Sequence, residues 1–360
     1  MTSNTETIVS VIGARPHFVK AFPLMRELAG RRVRHYIIHT GQHYDEKMSQ
    51  VFFDQLILPP PDINLGVGSG SHAEQTGKIM LGVERVVLEL KPQAVVVFGD
   101  TNSTLAAAIA TAKHYYPLVH IEGGVRCANR RMPEEINRVL VDHISDFNIC
   151  PSELAVRNLE REGCAKGALN LGDLMYDSFL GAKAMAASRS SALREHGLES
   201  GRYLLATIHR EASTGDLQTL GTLLETLGSL GERVIFPMHP RTRALLRANG
   251  REATTIGGLT IVEPLGYLDL LQVLSHARKV VTDSGGLQKE AYWAGVPCIT
   301  MMSDTAWTET VDAGWNTVVG VDAGKIRDAV SAPFDRAKPR PEIYGAPGAA
   351  RRLVEAMGWA

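Results

Sequence analysis

The chain has 360 residues, of which 44% are hydrophobic and 21% charged, with a formal net charge of -1. That is the balance of a soluble globular chain long enough for about two domains. It carries no electrostatic footprint for nucleic acid and no apolar run of the roughly 18 residues that span a membrane. The stretch Met1 to Thr7 is polar, and Ile8-Val9-Ser10-Val11-Ile12 is too short for a signal-peptide core. Cys127, Cys150, Cys164 and Cys298 form no C-x-x-C pair, which suits a reducing cytoplasm better than a disulfide framework.

Short β-branched runs alternate with longer helical patterns. The first half predicts strands at Thr7–Ile12, Val33–His39, Ala94–Phe98, Leu118–Ile121 and Phe147–Ile149, with helices over Phe18–Ala29, Gln75–Leu90 and Ser103–Lys113. The pattern restarts with strands at Arg202–Ile208, Val234–Pro237, Thr260–Val262, Lys279–Thr282 and Cys298–Met301, and helices over Thr219–Leu230, Leu268–His276 and Leu287–Ala294. A last helix is expected at Ala349–Met357. This βαβα order predicts an α/β chain of two Rossmann-like domains facing a cleft, each a mostly parallel sheet covered by helices. We expect residues 1–172 plus 343–360 in the first domain and 173–342 in the second. The cleft is the default ligand site.

Chemistry-bearing residues collect where predicted strands end. Asp100 follows Ala94–Phe98, Glu122 follows Leu118–Ile121, and Glu134 follows Pro133 at a helix start. Carboxylates at the C-terminal ends of parallel strands stand where open α/β sheets bind ligands. Three together suit proton transfer. Glu134 and Glu135 also fit a solvated helix start, and Arg126 or Arg138 could lock either in an ion pair.

Gly13-Ala14-Arg15-Pro16 forms a strand-to-helix turn whose backbone N–H groups attract phosphate, with Arg15 and Lys20 adding charge. A tight turn with a surface Arg is the competing reading. Asp283-Ser284-Gly285-Gly286 opens a second such helix. Ser284 can donate a hydrogen bond, Gly285 and Gly286 let a diphosphate approach, and Glu290 can accept from ribose, although a capped helix explains the same residues. His209-Arg210 and His239-Pro240-Arg241 end two further strands and place cations at the same edge. His39 and His43 have helical metal-site spacing, but Gly41 between them argues against a metal.

These motifs together resemble the nonhydrolysing branch of the UDP-N-acetylglucosamine 2-epimerases over nearly the whole chain. The resemblance rests on Gly13 to Pro16, His39 to His43, Gly99-Asp100-Thr101, His120 to Arg126, Met132 to Arg138, Thr207 to Arg210 and Thr282 to Gly286, in that order. It implies the two-domain architecture called GT-B, with a C-terminal helix returning to the first domain. It also implies epimerisation at C2 of a UDP-linked N-acetyl amino sugar, UDP-GlcNAc to UDP-ManNAc first, by loss and re-addition of UDP through a 2-acetamidoglucal. Neither nicotinamide nor metal is needed, and no cofactor is expected.

Carried over by motif, Asp100, Glu122 and Glu134 resemble the acid/base set and His209 a stabiliser of the leaving group. Arg15, Lys20, Arg210, His239, Ser284, Gly285, Gly286 and Glu290 resemble UDP ligands. The resemblance also implies a cytoplasmic homodimer without nucleic-acid or membrane partners. A hydrolysing epimerase, a GT-B glycosyltransferase and a silent UDP-sugar binder are the alternatives.

The chain departs from the family pattern in four places. His17 and Phe18 follow Pro16, as in members acting on UDP-linked diacetamido uronic acids. Met302 and Ala306 stand where an Arg and a Glu are usual. Leu270 stands where an aromatic often stacks on uracil, a role Tyr267 could take over. Gly123 replaces a usual Ala, expected to be a minor packing change.

Overall fold

The computed structural model describes residues 6–42, 59–127, 129–250 and 254–359; His43 lies outside them. The chain divides into one unit of Met1–Leu180 with Glu342–Ala360 and a second of Gly181–Pro341.

The first unit is built on β1 (Thr7–Ile12), β2 (Arg34–His39), β3 (Ile63–Asn64), β4 (Ala94–Phe98), β5 (Leu118–Ile121), β6 (Phe147–Cys150) and β7 (Ala168–Asn170). Their order is β3-β2-β1-β4-β5-β6-β7, and every pairing is parallel. Its helices are α1 (Arg15–Ala29), α2 (His72–Leu90), α3 (Asn102–Lys113), α4 (Pro133–Ile144) and α5 (Glu153–Arg161); α6 (Leu174–Arg189) runs on into the second unit. Because helices cover both faces, β4 reads Ala-Val-Val-Val-Phe and is buried at every position. The small side chains of Ala106, Ala107, Ala108 and Ala110 on α3 are buried and let α2 pack closely against it.

The second unit repeats the plan with β8 (Leu204–Thr207), β9 (Val234–Pro237), β10 (Thr255–Ile256), β11 (Leu259–Val262), β12 (Lys279–Thr282), β13 (Cys298–Thr300) and β14 (Asn316–Val318). The order is β10-β11-β9-β8-β12-β13-β14, with β10 alone antiparallel to its neighbour. Between the strands run α7 (Ala192–Glu195), α8 (Glu211–Thr214), α9 (Leu217–Gly228), α10 (Pro240–Ala248), α11 (Tyr267–His276), α12 (Gly285–Ala294), α13 (Thr308–Asp312) and α14 (Ala323–Ser331). Leu204, Leu220, Leu223, Phe236, Val281 and Ile326 belong to its continuous core.

The final helix, α15 (Ala349–Ala356), packs on α1 in the first unit. Asp177 on α6 accepts from Gly348 N at 2.6 Å and from Ala350 N at 3.0 Å, satisfying free N–H groups at its start. Arg352 donates to Leu171 O and so ties the returning chain to the end of β7.

Both sheets have a switch point, where strand order reverses: between β1 and β4 in the first, between β8 and β12 in the second. Ligands of open α/β sheets bind beyond the C-terminal ends of the strands at such points. The turn after β1 carries Gly13 to Pro16 and the turn after β4 carries Asp100. In the second unit the turn after β8 carries His209 and Arg210, and that after β12 carries Asp283 to Gly286.

Candidate active site

In the first unit the site begins with a close approach. A Cβ on Gly13 would lie 2.1 Å from Ser103 Oγ and 2.3 Å from Thr40 Oγ1, so only glycine fits at the end of β1. Gln42 completes this corner, accepting from Ser103 N at 3.0 Å and donating its own N–H to Thr40 Oγ1 at 3.2 Å. The stretch His39 to Gln42 thus frames the start of α3. Burial pushes the His39 imidazole below its ordinary pKa, and the ring packs 5.4 Å from that of Phe18.

Helix α1 starts at Arg15 with Pro16 in its first turn, three residues earlier than the apolar pattern from Phe18 suggests. Proline's fixed φ favours that place. The side chain of Arg15 lies outside the described part. His17 is buried, and its Nδ1 accepts from Gly13 N at 3.2 Å. Lys20, one turn on, is buried and ion-paired with Glu122.

Gly99 has a φ of 63°, and a Cβ there would lie 3.0 Å from Lys20 Nζ, 3.5 Å from Glu122 Oε2 and 4.0 Å from His17 Nε2. Three polar side chains therefore converge beside the turn that carries Asp100. Glu122 itself has a φ of 76°, a left-handed conformation that costs a residue with a side chain on the order of 1–3 kcal/mol. It is 8% exposed, and its N–H is held by Ile149 O at 3.1 Å.

Asp100 is half-buried and ion-paired with Arg138 of α4. Asn137 of the same helix donates to Asp100 O at 2.9 Å. Arg138 Nη1 also lies 3.2 Å from Glu135 Oε2, without an aligned hydrogen bond. Burial acts to lower the Arg138 pKa, but Asp100, Glu135 and Glu122 together raise it above the ordinary guanidinium value.

The two adjacent glutamates separate clearly. Glu135 is buried, accepts from Cys127 N at 2.9 Å, and has its pKa raised by burial despite Arg138. Glu134 is half-buried in the first turn of α4 and, among the described residues, has no ion-pair partner. Of the ion pairs left open by spacing, Arg138 takes Glu135. Arg126 turns away to Asp142 at 2.6 Å and makes a two-pronged bond to Glu162.

Spacing gave no sign of the buried pair behind this cluster. His120 Nδ1 lies 2.6 Å from Asp142 Oδ1 and its Nε2 lies 2.7 Å from Gly99 O, with both side chains fully buried. Asp142 Oδ2 also accepts from Gly124 N at 3.0 Å. Burial acts to raise the Asp142 pKa, but His120 and Arg126 hold it below the ordinary value.

In the second unit the strand-end motifs form one structure. Strand β8 lies beside β12, with Thr207 paired to Thr282, so His209 and Arg210 emerge next to Asp283. Asp283 is fully buried and lies 3.0 Å from His209 Nδ1. Ser284 caps α12 by accepting from Leu287 N at 3.4 Å, so Gly285 and Gly286 open the helix. His239 is half-buried just beyond β9, the neighbour of β8.

Glu290 on α12 is buried and accepts from Tyr267 OH at 2.8 Å. Tyr267 is only 3% exposed, so its ring offers a base no open face in place of the aromatic missing at Leu270. Met302 instead meets the amide of Gln288, whose Nε2 lies 3.8 Å from Met302 Sδ. Beside half-buried Ala306, Trp307 packs its ring 3.9 Å from Lys289 Nζ. Gly123 is more than a minor packing change: a Cβ there would lie 2.9 Å from Asn148 Cβ.

A separate group of possible metal ligands, His143, Glu162 and Cys164, has ligand atoms within 4.8 Å of one another. Arg126 already holds both carboxylate oxygens of Glu162. Among the described residues no helix is long and apolar enough to cross a membrane.

The sequence profile of the family UDP-N-acetylglucosamine 2-epimerase matches residues 26–358. A Methanococcus maripaludis protein named UDP-N-acetylglucosamine 2-epimerase homolog is 43% identical over 94% of each chain. The Pseudomonas aeruginosa UDP-2,3-diacetamido-2,3-dideoxy-D-glucuronate 2-epimerase is 38% identical over 97% of this chain and 98% of its own. The crystal structure of Methanocaldococcus jannaschii UDP-GlcNAc 2-epimerase in complex with UDP-GlcNAc and UDP superposes with a TM-score of 0.90 at 35% identity. That match covers 98% of this chain and 100% of the other. These similarities to solved structures carry the GT-B-like architecture expected from the motifs, and the chain belongs to the UDP-N-acetylglucosamine 2-epimerase family.

Proposed function

We propose that the chain epimerises UDP-GlcNAc to UDP-ManNAc at C2 by eliminating and re-adding UDP. The observation that carries this reading is the pair of acids just beyond the C-terminal ends of neighbouring strands β4 and β5, with Asp100 on Arg138 and Glu122 on Lys20. A C2 hydrogen beside an acetamido group is a poor acid, so its removal must be coupled to loss of a good leaving group. A carboxylate takes the C2 proton, the C1–O bond breaks with its electron pair leaving on UDP, and C1=C2 forms. A carboxylate on the other face returns a proton to C2 as UDP re-adds at C1. The net change is inversion at C2.

Asp100, Glu122 and Glu134 are the candidates for proton exchange. The buried cations Lys20 and Arg138 offset the charge of the first two and allow anionic groups to stand close together. In the second unit, the N-terminus of α12 with Ser284, Gly285 and Gly286 serves the diphosphate, together with Arg210, His239 and His209. Glu290 serves the ribose. Arg15 and Lys20 complete the ligand set. No step requires a cofactor. We place the enzyme in the cytoplasm as a homodimer, to be checked by light scattering coupled to gel filtration.

A UDP-linked diacetamido uronic acid is the second reading. It is supported by His17 and Phe18 after Pro16 and by the 38% identical Pseudomonas relative. Both readings are tested by NMR in D2O. Deuterium at C2 of an intact UDP-sugar together with a new manno signal supports epimerisation, and the substrate that exchanges faster identifies the true one. Free sugar with UDP would point to a hydrolysing enzyme. Absence of exchange in both sugars would sink the proposal.

A further inference from the structure

We propose that Asp283 is a positioning residue that fixes the tautomer and direction of His209, so that the ring presents Nε2 to the departing diphosphate. This rests on the leaving-group role given to His209 above. The geometry is unusually complete. Asp283 Oδ1 and Oδ2 each accept from His209 N at 3.1 Å, and Oδ2 accepts from Arg210 N at 2.9 Å. The ring nitrogen Nδ1 lies 3.0 Å from Oδ1. The backbone oxygen of Asp283 accepts from Arg210 Nε at 3.0 Å. One buried residue thus holds a histidine and an arginine beside the start of α12.

An ionised carboxylate can only accept hydrogen bonds. Burial acts to raise the pKa of Asp283, yet its bonds to His209 and Arg210 hold it below the ordinary value. The ring must therefore place its proton on Nδ1, which leaves Nε2 as the other functional atom. The exposure agrees: the Asp283 side chain is fully buried, whereas that of His209 is 50% exposed. Nδ1 is tied inward, so the Nε2 edge is the part that can meet a ligand.

In the forward direction Nε2, turned outward while Nδ1–H stays on Asp283, takes up a proton from solvent and donates that N–H to an oxygen of the departing UDP. In the reverse direction the same bond weakens as UDP returns to C1. No atom is gained or lost over the cycle. A carboxylate that merely closed the turn would need the bonds from His209 N and Arg210 N but not the one to Nδ1.

The test uses Asp283→Asn, which keeps the shape, and His209→Asn, alone and combined, in the full-length protein. We expect Asp283→Asn to lower kcat for UDP-GlcNAc epimerisation roughly ten- to a hundred-fold with KM within about two-fold. In the His209→Asn background it should cost little more, because its effect passes through the ring. An equal loss in both backgrounds would overturn the proposal and leave Asp283 a clamp of the turn. Nitrogen-15 NMR of histidine-labelled wild-type protein, with the His209 signals assigned by loss in His209→Asn, should show the proton of His209 on Nδ1. A proton on Nε2 alone in the neutral ring would also overturn it. The NMR result stands without turnover, so wild-type protein that fails to epimerise would count against the proposed function and not against the pairing.

Discussion

Each unit contains an Asp–His pair at the C-terminal edge of its sheet, and the two pairs are built for different work. His120 and Asp142 are fully buried, and both ring nitrogens are engaged, one by the carboxylate and one by Gly99 O. His209 uses one ring nitrogen on Asp283 and keeps half its side chain exposed. The first pair is a strut. Through His120 it pins the Gly99 carbonyl just before Asp100, and through Asp142 it pins Gly124 just after Glu122. The second pair is a tool, with one edge of the ring held and the other presented. Thus a histidine's role follows from how many of its nitrogens the fold consumes.

The largest effect should come from breaking the strut. His120→Ala leaves Asp142 buried with part of its compensation gone, and losing one partner of a buried pair costs about 3–5 kcal/mol. Urea unfolding should show that loss, and a change below about 1 kcal/mol would mean that the pair is not a strut. His209→Ala should behave oppositely. Its C2 exchange rate should fall roughly a hundred-fold, about 2.7 kcal/mol of transition-state stabilisation, while stability changes by less than about 1 kcal/mol. If His209→Ala unfolds as readily as His120→Ala, the distinction between the two pairs fails.

Smaller, and on the strut side, is Gly123→Ala. The added methyl meets Asn148, whose Nδ2 donates to Asp142 O at 2.9 Å. Overpacking of this kind costs about 1–3 kcal/mol. A thermal scan should place this variant between wild type and His120→Ala, and an unchanged midpoint would show that Asn148 yields freely. Smaller again is Ser284→Ala, where loss of the cap on α12 costs about 1 kcal/mol. Calorimetric titration should also show weaker UDP binding; unchanged affinity would remove Ser284 from the diphosphate site.

Sequence pattern located the architecture well because strands such as β1, β4 and β5 are largely buried apolar runs, and the candidate motifs at Gly13, Asp100 and Glu122 follow them. It missed β3, β7, β10 and β14, which are two or three residues long and lack the full burial of β13. It missed the partnerships of His120 with Asp142, of Asp283 with His209 and of Glu135 with Cys127 for another reason. These are partnerships across 22, 74 or 8 residues, made by neighbouring strands and helices, and no local spacing encodes them. Three hints were present nonetheless. His120 lies two residues before Glu122, Asp283 directly precedes Ser284, and Glu135 directly follows Glu134. A polar residue embedded in an apolar strand, or at its last position, is the signal to watch, because burial obliges it to find a partner.

The smallest effect concerns acid. The folded-state pKa of Asp283 lies below its ordinary value of 3.8, partly through the His209 ring. A lowered carboxylate contributes stability that is complete above the unfolded value and lost as pH falls through the folded one. In His209→Ala the ring's share of that lowering is gone, while burial still acts to raise the pKa of Asp283. The stability difference between wild type and His209→Ala should therefore shrink as pH falls below about 4. It should stay below about 1 kcal/mol throughout, because the imidazole is half exposed to solvent. Urea unfolding of both proteins from pH 7 down to about pH 2.5 measures it. A difference that grows as pH falls below about 4 would mean that the bond between His209 and Asp283 does not stabilise the ionised carboxylate. In that case the second pair would not be the held-and-presented ring that distinguishes it from the first.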